Sequence, residues 1–267
     1  MNTGKTIFSI ACAIISSSAL ADTSDIKASD NQVGIQLTST NMNYTGTGNG
    51  VVGAPGATFA TENGNVPGFA LSASVMQNLW LGNDYIEAAY SRDNGHSNFI
   101  GGAPYGSAAG ETGATLSDYH FRYGKGFAMN DQFMLTPYGE IGSHEWDSSA
   151  EGNFTNDYYG VGVLGQYSPI NKLVLSGNAL LGHTFNASTT GANGLTGYGG
   201  LTGYGGLGTS NLYRVGVSAD YALSQALHAN VGVDYTSFNY GAGAMGSGVP
   251  NSLTYYTTVK VGLGYAF

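Results

Sequence analysis

Apolar and polar positions alternate along most of the chain, most cleanly in the last fifteen residues, LTYYTTVKVGLGYAF (Leu253–Phe267). Counting back by twos, Phe267, Tyr265, Leu263, Val261, Val259, Thr257 and Tyr255 share one face. Ala266, Gly264, Gly262, Lys260, Thr258 and Tyr256 share the other. A period of two marks a strand. Aromatic residues close the apolar face at both ends, roughly ten residues apart, which suits a strand crossing a bilayer at a tilt.

The same pattern recurs upstream. The first strand runs about 32–44, with Val33, Ile35 and Leu37 against Gly34, Gln36 and Thr38. The second begins near Gly68 with Phe69, Leu71, Ala73 and Val75; the third sets Ile86, Ala88 and Tyr90 against Glu87 and Ala89. The fourth sets Tyr119, Phe121 and Tyr123 against Asp118, His120 and Arg122. Such a strand cannot bury both faces in an apolar core; it needs lipid on one side and a polar interior on the other. The fifth, 133–146, turns Leu135, Gly139 and Ile141 outward and Tyr138, Glu140, Gly142 and His144 inward. Pro137 falls on its outward side and predicts a bulge, since proline cannot donate to the ladder. The sixth strand exposes Tyr159, Val161, Val163 and Tyr167, and the seventh Leu173, Leu175, Ala179 and Leu181. The eighth sets Tyr213, Val215, Val217 and Tyr221 against Arg214 and Asp220, and the ninth sets Leu227, Val231, Val233 and Tyr235 against His228 and Asp234. The segment ending in Phe267 is the tenth.

Long Gly-rich loops are expected at about 45–67, 92–115, 186–211 and 241–252, with a shorter acidic one at 147–156 and tight turns between. Long and short connections therefore alternate. The pattern predicts an all-β fold: a closed antiparallel up-and-down transmembrane β-barrel of ten strands, or eight if the weak second and third strands are misread. An even strand count places both termini on one side, read as periplasmic. Closure leaves no sheet edge unpaired.

The N-terminal stretch extends this picture. Lys5, the apolar run 7–15 and Ala19-Leu20-Ala21 read as a cleaved secretory signal over residues 1–21. Residues 22–31 are then a loosely ordered periplasmic lead-in, and 32–267 the outer-membrane barrel. The single cysteine, Cys12, lies inside the signal, so the mature chain has no disulfide framework and no thiolate chemistry. Only 9% of the 267 residues are charged, against about 25% in a soluble domain, so much of the outer surface does not face water. The net charge of −9 argues against nucleic acid as a partner.

The candidate chemistry lies in the lumen. Glu87, Asp118, Arg122, Glu140, Arg214, Asp220, Asp234 and Lys260 face inward, with His120, His144 and His228. In a narrow barrel these charges either pair and fill the interior or form a constriction that selects small solutes. The loops offer the other candidate function. A tandem GLTGYG repeat at 194–199 and 200–205 is either an adhesive surface or a duplication in a tolerant loop.

Three resemblances sharpen these readings. The alternating final strand with Val259, Val261, Leu263, Tyr265 and a terminal Phe267 resembles the assembly signal of bacterial outer-membrane barrels. It implies barrel-assembly machinery, outer-membrane lipid and lipopolysaccharide as partners. LTPYGEIGSHEWD (135–147) and YYGVGVLGQYSPINKLVLS (158–176) are similar to segments of opacity/OmpA-like barrels, a family with structural, adhesive and pore-forming members. Asp118-x-His120 resembles half of the catalytic arrangement of omptins, the ten-stranded outer-membrane proteases. The paired acids an omptin also needs are missing, because the chain has no Asp-x-Asp. A lipid-modifying hydrolase would need an acid beside His183 and Ser188, and none is visible. The expectation is a non-enzymatic protein with no cofactor or metal. It would act as a narrow porin-like channel for small solutes, as a structural barrel, or as a binder of surface ligands through its loops.

Overall fold

The computed structural model describes residues 23–48, 54–80, 82–101, 108–150, 152–190, 205–206, 210–240 and 251–267. The segment 1–21, expected to be a secretory signal, and, apart from Gly205, the tandem repeat lie outside them. One helix, α1 (Thr23–Asp30), precedes twelve strands: β1 (Gln32–Thr47), β2 (Thr58–Gln77), β3 (Asp84–Gly101), β4 (Ala108–Lys125), β5 (Phe127–Asn130), β6 (Phe133–Ser148), β7 (Gly152–Ile170), β8 (Leu173–Thr190), β9 (Gly205–Gly206), β10 (Ser210–Ala222), β11 (Leu227–Tyr240) and β12 (Asn251–Ala266). Ten of these form an up-and-down antiparallel ring, β1-β2-β3-β4-β6-β7-β8-β10-β11-β12. The seam between β12 and β1 closes it, from Gln32 opposite Ala266 to Thr47 opposite Asn251. The two-residue β9 pairs with the far end of β8.

Pro137 acts otherwise than expected. It pairs with Val163 in a β6–β7 ladder that keeps its register. The break appears on the opposite neighbour. β4 pairs with β6 as far as Gly124 opposite Tyr138, and β5 resumes with Phe127 opposite Leu135 in the same register. A proline N cannot donate, so the ladder beside it lapses without a bulge. Gly126, in the gap, donates instead to Asn83 O at 2.8 Å.

The outer surface carries a belt of exposed aliphatic residues, among them Ile35, Leu37, Ile141, Val161, Leu181, Val217 and Val261. Tyr90, Tyr119, Tyr159, Tyr213, Tyr235 and Tyr255 follow its upper edge, with Tyr221, Tyr265, Phe267, Phe127 and Trp80 along the lower. From Tyr265 to Tyr255 the height is about ten residues of tilted strand, which suits a hydrocarbon core.

Above the belt the strands keep going, and here the expected loops are corrected. β2 starts at Thr58 and β3 reaches Gly101, inside the expected loops at 45–67 and 92–115. Likewise β7 begins at Gly152 and β8 continues to Thr190. Outward positions become polar here: Ser39, Asn41 and Asn43 on β1, Asn63 and Asn65 on β2, Asn94 on β3. Both faces then meet polar surroundings, so the apolar alternation that betrays a strand disappears while the backbone ladder persists. Cross-strand side-chain bonds support the rim: Asn41 Nδ2 donates to Asn65 Oδ1 at 3.0 Å, and Asn94 Nδ2 to Thr115 Oγ1 at 2.8 Å.

The lead-in is also corrected. TSDIKASD forms helix α1 and docks in the barrel mouth at the short-turn end. Ile26, fully buried, packs with Met76, Tyr85, Met134 and Val174. Asp25 accepts from Ser168 Oγ at 3.3 Å and from the Lys172 amide at 3.1 Å. Asn31 locks the helix to β2 through a reciprocal pair, giving Nδ2 to Met76 O at 3.2 Å and taking the Met76 amide on Oδ1 at 2.9 Å.

Candidate functional site

The interior has three tiers. At the short-turn end sits the α1 plug. At the long-loop end, inward residues from nearly every strand form one apolar cluster: Met42 and Tyr44 from β1, Val66 from β2, Phe99 from β3, Leu116 from β4, Trp146 from β6, Leu212 from β10, Phe238 from β11 and Tyr256 from β12. Trp146 is 1% exposed and stacks on Phe154 with centroids 4.7 Å apart. This cork draws inward side chains from opposite walls into one contiguous cluster. Level with Tyr44 and Phe99, its register partners, Glu62 accepts from Ser97 on β3 and from Ser148 on β6, the latter at 2.7 Å.

The middle tier is ionic. Glu140 on β6, its side chain fully buried, receives Arg122 Nε of β4 on one oxygen and Arg214 Nη1 of β10 on the other, each at 2.6 Å. Arg122 continues to Glu87 on β3 at 3.2 Å, and Arg214 to Asp118 on β4 at 3.5 Å. Both His120 nitrogens meet carboxylates, Asp118 at 3.2 Å and Glu87 at 3.3 Å. An imidazolium with two donors satisfies both. Three acids then balance three cations, which is what a buried network needs to offset its desolvation. His144 reaches Asp118 at 3.6 Å and the Tyr256 hydroxyl at 3.1 Å. Each guanidinium also lies over a tyrosine, Arg122 on Tyr138 at 5.0 Å and Arg214 on Tyr158 at 5.5 Å.

Inward glycines make room for those rings. Tyr138 stands opposite Gly162, and Tyr158 opposite Gly142. At both glycines a Cβ would collide with the facing ring. The aromatic side chains can therefore lie flat across the β6–β7 wall and carry the arginines.

The structure thus gathers seven of the inward residues named from sequence into one network: Glu87, Asp118, His120, Arg122, Glu140, His144 and Arg214. The others form separate pairs, Asp220 with His228 between β10 and β11, and Asp234 with Lys260 between β11 and β12. Asp93, held by Thr38 and Thr40 of β1, and Glu62 are not among the sequence candidates because both lie in expected loops. The alternation Glu87, Ala89, Ser91, Asp93 was the available signal for the former. His183 and Ser188 go to different partners, His183 to Asn211 and Ser188 to Thr155.

Between the network and the β1, β2 and β12 walls remains a polar cavity of about 280 Å3, floored by Ser29 and Asp30 of α1. Asp30 lies on the helix, outside the membrane-spanning strands. Burial pushes its carboxyl up to about 8, against the opposing effect of a hydrogen bond from Gln166 Nε2 at 2.8 Å.

No family model and no curated protein sequence matches the chain. Solved structures do. The outer membrane protease OmpT from Escherichia coli superposes with a TM-score of 0.53 at 13% identity, covering 89% of this chain and 97% of that one. Ail, the attachment invasion locus protein of Yersinia pestis, aligns over 89% of this chain and 99% of its own at 10% identity, with a TM-score of 0.33. OprG from Pseudomonas aeruginosa covers 89% of this chain and 97% of its own at 12% identity, also with a TM-score of 0.33. The OmpT superposition shares architecture without sequence. Together with the closed ten-strand ring, the aliphatic belt and the paired charges of the lumen, it shows that this chain has the fold of an outer-membrane β-barrel.

Proposed function

We propose that the protein is a plugged, non-conducting outer-membrane barrel that works through the polar rim and loops at its long-loop end. One observation carries this reading: the apolar cork, to which inward side chains from both halves of the ring contribute. Water and ions do not cross a packed apolar layer, and the ionic tier beneath it ties β3, β4, β6 and β10 together. The rim of asparagines above the tyrosine belt supplies hydrogen-bonding surface clear of the hydrocarbon. In this reading α1 faces the periplasm, the rim faces outward, lipopolysaccharide surrounds the belt, and the strand ending in Phe267 is what the assembly machinery recognises. The Asp118–His120 pair supports a pairing role over a proteolytic one. Asp118 lies two residues and His120 four residues below the buried Leu116, with both ring nitrogens engaged by carboxylates.

The test is conductance of the folded protein in a planar bilayer, with folding verified by the mobility difference between unboiled and boiled samples. A silent bilayer is expected. Discrete current steps that fall in Glu140→Gln would overturn the proposal and restore the solute-selective channel.

A further inference from the structure

The cavity above α1 is unbalanced in a specific way. Asp30 Oδ2, Gln166 Oε1 and Asn178 Oδ1 are buried and have no hydrogen-bond partner among the described residues. All three residues line the cavity. Asp30 is 5% and Gln166 2% exposed, so bulk water does not serve them. Gln166 Oε1 and Asn178 Oδ1 are acceptors in any state, Asp30 Oδ2 becomes one when its carboxyl ionises, and Asp30 makes no ion pair among the described residues. A buried acceptor without a donor is costly, and native interiors fill such places. The missing component is therefore a donor.

We infer that this cavity binds a small linear alkylamine, with an ammonium group on Asp30 and Gln166 and its chain running along Leu164 toward Asn178. The shape of the acceptor set favours an organic cation over a metal ion. No three His, Cys, Asp or Glu side chains among the described residues converge to hold a metal. The acceptors are instead spread along the wall. Gln166 pairs with Ser176, and Leu164, two residues higher on the same inward face, pairs with Asn178. That places a polar level at Gln166 and Ser176 and, about 7 Å above it, a level where Leu164 and Asn178 lie side by side. A short diamine spans the two levels, with one nitrogen at each and its upper carbons against Leu164. Glu87 and Asp220 add negative potential around Asp30. A cavity of about 280 Å3 holds a diamine of four or five carbons with water to spare. The raised Asp30 carboxyl fits an empty site. An arriving ammonium favours the ionised form, so binding at neutral pH releases a proton.

Isothermal titration of the full folded protein in detergent, at constant ionic strength, tests this with 1,4-diaminobutane, 1,4-butanediol, and magnesium and potassium chlorides as separate titrants. The expected result is saturable binding of the diamine near one equivalent, with an enthalpy that depends on the buffer's ionisation enthalpy. Asp30→Asn should weaken it at least tenfold and abolish the buffer dependence. Asn178→Ala, which leaves α1 and its contacts intact, should weaken it several-fold and retain the buffer dependence. The absence of saturable diamine binding overturns the inference. So does equal binding by Asp30→Asn, the mark of diffuse attraction to a chain of net charge −9. Equal binding of the diol, or binding of magnesium or potassium in place of the diamine, overturns it as well.

Discussion

The ring of Tyr158 lies across Gly142, its register partner on β6, so closely that a Cβ at residue 142 would stand 2.5 Å from Tyr158 Cζ. The same Cβ would sit 2.6 Å from the Tyr119 carbonyl oxygen, which belongs to the backbone and cannot step aside. Gly142→Ala is therefore expected to destabilise the barrel by about 1–3 kcal/mol, the usual cost of overpacking. Gly139, on the outward face of the same strand, has nothing within 4 Å of a Cβ, so Gly139→Ala serves as the control. Urea unfolding in phospholipid vesicles measures both. Equal loss in the two variants would mean that strand propensity, not the Tyr158 ring, sets the cost.

Glu140 holds two guanidiniums, and its removal leaves both under-compensated in the lumen. Glu140→Ala should cost about 3–5 kcal/mol. The loss should be non-additive with Arg214→Met, because one network is being broken twice. The bilayer should stay silent in either variant while the cork above is intact. Current through Glu140→Ala alone would show that the ionic tier, not the apolar one, is the seal.

The chain's two tryptophans occupy opposite environments. Trp80 is 75% exposed at the lower edge of the belt, whereas Trp146 is buried in the cork. Lipids brominated near the headgroup should quench Trp80 emission and leave that of Trp146 unchanged. Trp146→Phe should then be fully quenchable, and Trp80→Phe resistant. Quenching of Trp146 would mean the cork is open to lipid or the barrel sits at another depth.

The docking of α1 should depend on pH through Asp30. Its carboxyl is raised to about 8 when docked, so the docked state holds a proton that the free segment releases near its ordinary value of 3.8. A raised acid means stability that is full below the free value and lost as pH rises toward the docked value. Glu87 and Asp220, which face Asp30, act in the same direction. After correction for the thiol's own ionisation, an Ile26→Cys variant should become more reactive to a thiol probe as pH rises from about 4 to 8, and Asp30→Asn in that background should flatten the change. A flat profile with Asp30 present would place the proton elsewhere.

Tyr119, Phe121 and Tyr123 facing Asp118, His120 and Arg122 could be read from sequence because lipid and lumen impose opposite chemistry on alternate residues. Where lipid ends, that constraint ends. Asn63 and Asn65 flank positions that turn inward, and nothing in their polarity separates rim strand from loop. Helix α1 was equally silent. Its one large apolar residue, Ile26, gives no period, and it folds because the barrel mouth supplies Met76, Met134 and Val174 as a socket. The inward direction of Glu140 and Arg214 followed from parity. Their meeting did not, since it depends on how β6 and β10 face each other across the lumen and on the space that Gly142 and Gly162 leave for tyrosine rings.

The last residue of the chain is tied to the plug. The Phe267 amide donates to Asn31 O at 3.1 Å, and Asn31 is the residue whose side chain fastens α1 to β2. The bond exists only when β12 lies against β1. Assembly therefore has a built-in order: the helix cannot be fully secured until β12 has come to lie against β1, and α1 and β12 are sealed in a single event. A nascent barrel paused before that event would be one whose inner mouth is not yet shut.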